Sequence, residues 1–197
     1  MRRSDVRQRM SGSEMRIEGL GRSLILSGEI NIRDLIDERE IRNTLSRYWR
    51  GVDRLDLDLM ASAFHADAVD HHAGKDRPAH EFVRAALDRM PQVAPGGTQH
   101  RVTNISIELD GDKAWSEAYF HAIHNADDRL NELFGRYVDR FERRDGKWKI
   151  AERWSVVDFS QSAPRTALPS EKNPDTHRGR RDRTDVSYFR DRPQTSS

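Results

Sequence analysis

Apolar residues in the stretch 32–52 fall at Ile41, Leu45, Tyr48, Trp49 and Val52. This i, i+4, i+7, i+8, i+11 spacing is that of one buried helical face, and it predicts a helix over about 32–52. Asp53 stands four residues after Trp49 and eight after Leu45. If the helix reaches that far, Asp53 continues the apolar stripe, where a carboxylate is costly unless something pairs with it. Asp56 then reads as an N-cap, with Leu57, Met60, Ala61 and Phe64 as a short second helix. "ADAVDHHAGKDR" reads as a short strand and turn. Pro78 stands near the start of a third helix with Phe82, Val83, Ala86, Leu87 and Met90 inward, and "PQVAPGG" breaks it into a loop.

Past that loop the period changes to two. Four strand-like runs follow, Gln99–Leu109, Lys113–Asn125, Leu133–Arg143 and Lys147–Phe159, with hairpin turns at "DGD" (110–112) and "RDG" (144–146). Three helices followed by an antiparallel meander predict an α+β fold, with helices on one face of a curved sheet. Alternation assigns Ala114, Ser116, Ala118, Phe120, Ala122 and His124 to the face that carries the helices and opens a pocket. Trp115, Glu117, Tyr119, His121 and Ile123 take the other face. Its aromatics suit either half-exposed decoration or an interface with another subunit.

Composition adds limits. The 197 residues are 35% hydrophobic and 34% charged, with a mean hydropathy of −0.90. That is too polar for one uniform globule, so a core domain over 29–162 is expected between a loosely attached segment 1–28 and a charged flexible tail 163–197. Thirty-four basic and 33 acidic residues give a net charge of +1, which offers no field for nucleic acid or an anionic membrane. There is no cysteine, which excludes disulfides and thiolate chemistry. The longest apolar run near the N-terminus is "LIL", far short of a signal core, and a cytoplasmic location is expected. His71 and His72 are adjacent on a strand and point to opposite sides, so no metal site is expected from "DHH". No Gly-rich phosphate loop or GxSxG elbow is present.

"YWRGVDRLDLDLMASAFHADAV", "HRVTNISIELDGDKA" and "GRYVDRFERRDGKWKIAER" are similar, in order and spacing, to the SnoaL-like branch of the nuclear transport factor 2-like superfamily. The likeness covers about residues 30–160 and resembles the lindane dehydrochlorinase, bile-acid 7α-dehydratase and scytalone dehydratase group. It implies a cystatin-like cone, three helices packed on a curved, mostly antiparallel sheet around an apolar pocket. It also implies catalysis without metal or organic cofactor, and dimers or trimers. By motif, the family's orienting Asp falls on Asp53 and its His on His100; Tyr48 and Arg153 match further functional positions. Trp49, Phe120, Ala122 and His124 are the expected substrate-binding wall. One departure stands out: the dehydratases' second polar group falls near Ala122, with His124 the nearest candidate on that face.

These residues suit base chemistry. A carboxylate that fixes the imidazole tautomer and stabilises the imidazolium makes a base able to abstract a proton beside a leaving group or carbonyl. Tyr48 would donate to a substrate oxygen and Arg153 would offset developing negative charge. The resulting expectation is a cofactor-independent lyase or isomerase acting on a small hydrophobic cyclic molecule. The alternative is a non-catalytic ligand-binding or dioxygenase β-subunit-like assembly protein. Taken singly, Asp53 reads as a helix terminator, Tyr48 and Trp49 as core, and Arg153 as an ion-pair partner.

Overall fold

The computed structural model describes residues 31–189. The segment 1–28, expected to be loosely attached, lies outside them. Helix α1 (Ile32–Arg54) starts at Asn31, whose side chain accepts from the Arg33 N–H, and ends at Leu55 in the left-handed region. Ile41, Leu45, Tyr48, Trp49 and Val52 are all buried, as the stripe predicts. Helix α2 (Leu57–Ala61) follows, with Asp56 Oδ1 accepting from Leu59 N at 3.0 Å.

Strands β1 (Phe64–His72) and β2 (Lys75–Pro78) form a hairpin, and helix α3 (Ala79–Val93) crosses back. The helix runs through Pro91 rather than breaking before it. In the last turn, proline forfeits a single intrahelical bond, and Ala94 N–H still reaches the Met90 carbonyl at 2.9 Å. Strands β3 (Thr98–Asp110), β4 (Lys113–Asn125), β5 (Arg129–Arg144) and β6 (Lys147–Pro164) form the meander.

The six strands make one unclosed sheet in the order β2-β1-β6-β5-β4-β3, antiparallel except where β1 runs parallel to β6. Pairing shifts in β3 between Thr103 and Ser106, where Asn104 has φ of 49°, and in β5–β6 at Phe134/Gly135 and Arg140/Phe141. Such bulges bend a sheet, and here it curves around α1. β4 divides its faces as alternation requires: Ala114, Ala118, Phe120 and Ala122 join the core, while Trp115 and Tyr119 are exposed. A fourth helical turn, α4 (Pro169–Lys172), comes after the sheet. The stretch expected as a tail begins inside β6. Its residues up to 189 meet the end of α1 through Tyr188 Oη–H to Asp56 Oδ2 (3.0 Å) and Arg50 to Ser187 Oγ (3.2 Å). Among the described residues, no helix is long and apolar enough to cross a membrane.

Gly51 sets how closely α2 approaches α1. A Cβ built there would lie 2.6 Å from Met60 N and Cβ, and the Met60 backbone cannot yield cheaply. Gly51→Ala is therefore expected to cost about 1–3 kcal/mol, the usual cost of overpacking. Urea denaturation would check this; a midpoint unchanged from wild type would show that the helix pair is not tightly fixed.

Candidate active site

The last turn of α1 delivers Asp53 beside the start of β3, and the two segments close on each other through the carboxylate. Asp53 Oδ1 lies 2.7 Å from His100 Nδ1 and accepts from Thr98 Oγ1 at 2.8 Å, while Oδ2 accepts from the His100 backbone N–H at 3.0 Å. Three donors thus hold the carboxylate, and two of them fix the residue that carries the imidazole. Both side chains are largely buried, at 16% exposed for Asp53 and 8% for His100. The His100 ring stacks on Trp49 with centroids 5.1 Å apart. Among the described residues nothing hydrogen-bonds to its Nε2. With Nδ1–H given to Asp53, that nitrogen carries the lone pair.

His100 lines a cavity of about 420 Å³ between α1, α3 and the concave face of the sheet. That volume falls within the range of small-molecule sites. Tyr48, Trp49, Phe120, Ala122 and His124 line it, so the structure brings these expected residues together with His100. Asp53 is not on this wall; it sits behind the imidazole and borders a separate cleft of about 910 Å³ under residues 176–182.

Arg153 is placed differently from the expectation. It is fully buried and does not line the 420 Å³ cavity. Its Nε and Nη2 donate to the two oxygens of Asp139 at 2.7 Å each, and its charge lies over the rings of Tyr48 (4.1 Å) and Tyr137 (4.2 Å). Burial works against the guanidinium charge, but Asp139 outweighs it and holds the group above its ordinary value. Arg153 therefore supports the tyrosines from beneath rather than meeting a ligand. Burial likewise raises the Tyr48 hydroxyl, and pushes that of Tyr137 up to about 12, so both stay protonated donors.

Sequence reasoning did not assign Tyr137, His72 or Phe82 to this cavity, yet all three line it. His72 Nδ1 lies 3.1 Å from Asp70 Oδ1. Tyr137 lies within the hairpin motif, and "DHH" carries only the look of a metal motif, so neither signals a cavity wall. His71 and His72 do diverge: His71 stacks on Trp154 at 4.7 Å and reaches Glu152, on the outer face.

His124, on the cavity wall, has its pKa pushed down to about 4, first by burial and then by the neighbouring His100. It is neutral near pH 7. Because the unfolded chain binds this proton from about pH 6.5, stability is full above that value and falls as the pH drops toward 4. His124→Asn should lose less melting temperature than wild type across that window. Parallel curves for the two proteins would contradict the shift.

A family model described as a SnoaL-like domain matches residues 33–154. Among solved structures, a hexachlorocyclohexane dehydrochlorinase (LinA, type 2) is 20% identical with a TM-score of 0.61, covering 70% of this chain and 94% of that one. A candidate scytalone dehydratase from Novosphingobium aromaticivorans is also 20% identical, with a TM-score of 0.60 and coverage of 71% and 94%. A protein from Nostoc punctiforme described as having a cystatin-like fold is 23% identical, with a TM-score of 0.55 and coverage of 62% and 92%. At these identities the likeness shows the fold alone. No curated protein matches the chain by sequence.

Proposed function

The chain belongs to the SnoaL-like domain family, and from that premise we propose that it is a cofactor-independent lyase or isomerase. Its substrate is a small hydrophobic cyclic molecule that loses a proton beside a leaving group or carbonyl. The observation that carries this reading is the 2.7 Å contact between Asp53 and His100, with His100 Nε2 unpaired at the wall of an apolar cavity.

Nε2 takes the proton from carbon, and the C–H electron pair becomes the new double bond as the leaving group departs, or an enolate where the product is an isomer. The imidazolium is stabilised by Asp53, which keeps its own charge. The developing oxyanion is met by neutral phenols, Tyr48 and Tyr137, whose raised pKa values keep them donors. The aromatic wall of Trp49, Phe120 and Tyr137 suits a ring-shaped apolar ligand.

Screening the purified protein against steroid, polyketide and halogenated cyclic compounds identifies a substrate. On that substrate, Asp53→Asn and His100→Ala should each lower kcat by about 10²–10⁴-fold, the range of general-base catalysis, with melting curves close to wild type. Full activity in either folded variant would remove the assignment.

We also propose self-association through the outer face of the sheet. Trp115, Tyr119, Trp154 and Phe159 are 37%, 40%, 39% and 62% exposed there, and a stacked row of His121, Phe134 and Phe159 continues the patch. Light scattering should return twice or three times the chain mass; a single-chain mass at micromolar concentration would contradict this.

A further inference from the structure

The cavity holds a second imidazole with its own carboxylate, towards the opposite edge of the sheet from the first. His100 is on the edge strand β3, and His72 ends β1, four strands away in the order β1-β6-β5-β4-β3. Curvature brings both onto one cavity wall. His72 is held on three sides. Its Nδ1 lies 3.1 and 3.2 Å from the two oxygens of Asp70, its ring stacks on Phe82 at 4.3 Å, and its Nε2 lies 3.3 Å from the Tyr137 hydroxyl. Asp70 is fully buried, one strand from Arg153, opposite which it sits in the β1–β6 pairing. A buried carboxylate that orients a partly exposed imidazole at a cavity wall is the arrangement used to hold an imidazolium ready for proton transfer. His124 cannot fill that place, being neutral near pH 7.

We propose that His72, oriented by Asp70, is a second catalytic group of this cavity: a general acid for a departing hydroxyl, which makes the substrate a β-hydroxy carbonyl compound that loses water. This rests on the reading of His100 as base. In the step, the α-carbon proton goes to His100 Nε2 and the C–H pair becomes the C=C bond. The C–O bond breaks, and the departing oxygen displaces the Tyr137 hydroxyl from Nε2 of the His72 imidazolium, takes that proton and leaves as water. His100 has then gained a proton and His72 has lost one; exchange with solvent restores both, and the His72 side chain is 20% exposed. Asp70 is a positioning residue. A halide leaves as a stable anion and would need no such acid.

The test compares two probes on one ring, a β-hydroxycyclohexanone and its β-(para-nitrophenoxy) counterpart, which both yield the same enone. The aryloxide departs unaided, so it reports the base alone. His72→Asn should lower kcat/KM for the hydroxy ketone by about 10²-fold or more, at least about tenfold beyond its effect on the aryloxy ketone. His72→Gln should behave alike if the missing proton is the cause, and melting curves establish that both variants fold. Equal losses on the two probes, no loss on the hydroxy ketone, or a wild-type protein that eliminates only the aryloxide would each overturn the proposal. Aryloxide elimination that survives in His100→Ala would instead sink the base assignment, and the acid built on it, so the two failures are told apart.

Discussion

A guanidinium sealed from water anchors this fold. Arg153 is wholly buried, so its charge must be met from within the protein, and Asp139 meets it with two 2.7 Å hydrogen bonds across the β5–β6 pairing. Breaking such a pair by removing one partner leaves an uncompensated buried charge, typically about 3–5 kcal/mol. The same guanidinium lies beneath Tyr48 of α1 and Tyr137 of β5, and 5.5 Å from Phe64 of β1. One cation thus ties the helix to the two strands that flank its own in the sheet. The aromatic floor it supports is also the floor of the cavity, so stability and site geometry share residues.

Asp53 stands at the opposite end of the same helix from another acid on the stripe. Asp37, four residues before Ile41, is also buried, bonded to Trp148 Nε1–H at 2.9 Å and to Arg143 at 2.8–2.9 Å. Both acids break the apolar pattern, and both resolve the cost of burial by pairing. Their partners differ in kind. Asp37 holds an indole and a guanidinium, which stay as they are, whereas Asp53 holds an imidazole that can change charge. The pattern in the sequence signals a paired acid; only the partner's chemistry separates a structural role from a proton-transfer one.

The helices, strands and turns were legible because each rests on local periodicity, and the sheet's two faces followed from alternation alone. The Asp53–His100 pair was legible through the motif order, since both residues sit at element ends whose positions the pattern defines. The β1 side of the cavity was not. Asp70 and His72 share a face by alternation, but they meet Tyr137 only because β1 runs parallel to β6 and because bulges bend the sheet, and neither leaves a local signal. Arg153 shows the converse: its place in a motif was plain, but its burial depends on Asp139, fourteen residues earlier on the neighbouring strand.

The central claim is that Asp53 fixes the tautomer that turns His100 Nε2 toward the cavity as a base. Nitrogen-resolved NMR of histidine-labelled protein, taken above the pH at which imidazoles are protonated, reads that tautomer directly. The expected result is a His100 that carries its proton on Nδ1 with a bare Nε2, a preference that Asp53→Asn erodes. A proton on Nε2 in the wild-type protein, or a tautomer indifferent to Asp53, would contradict it.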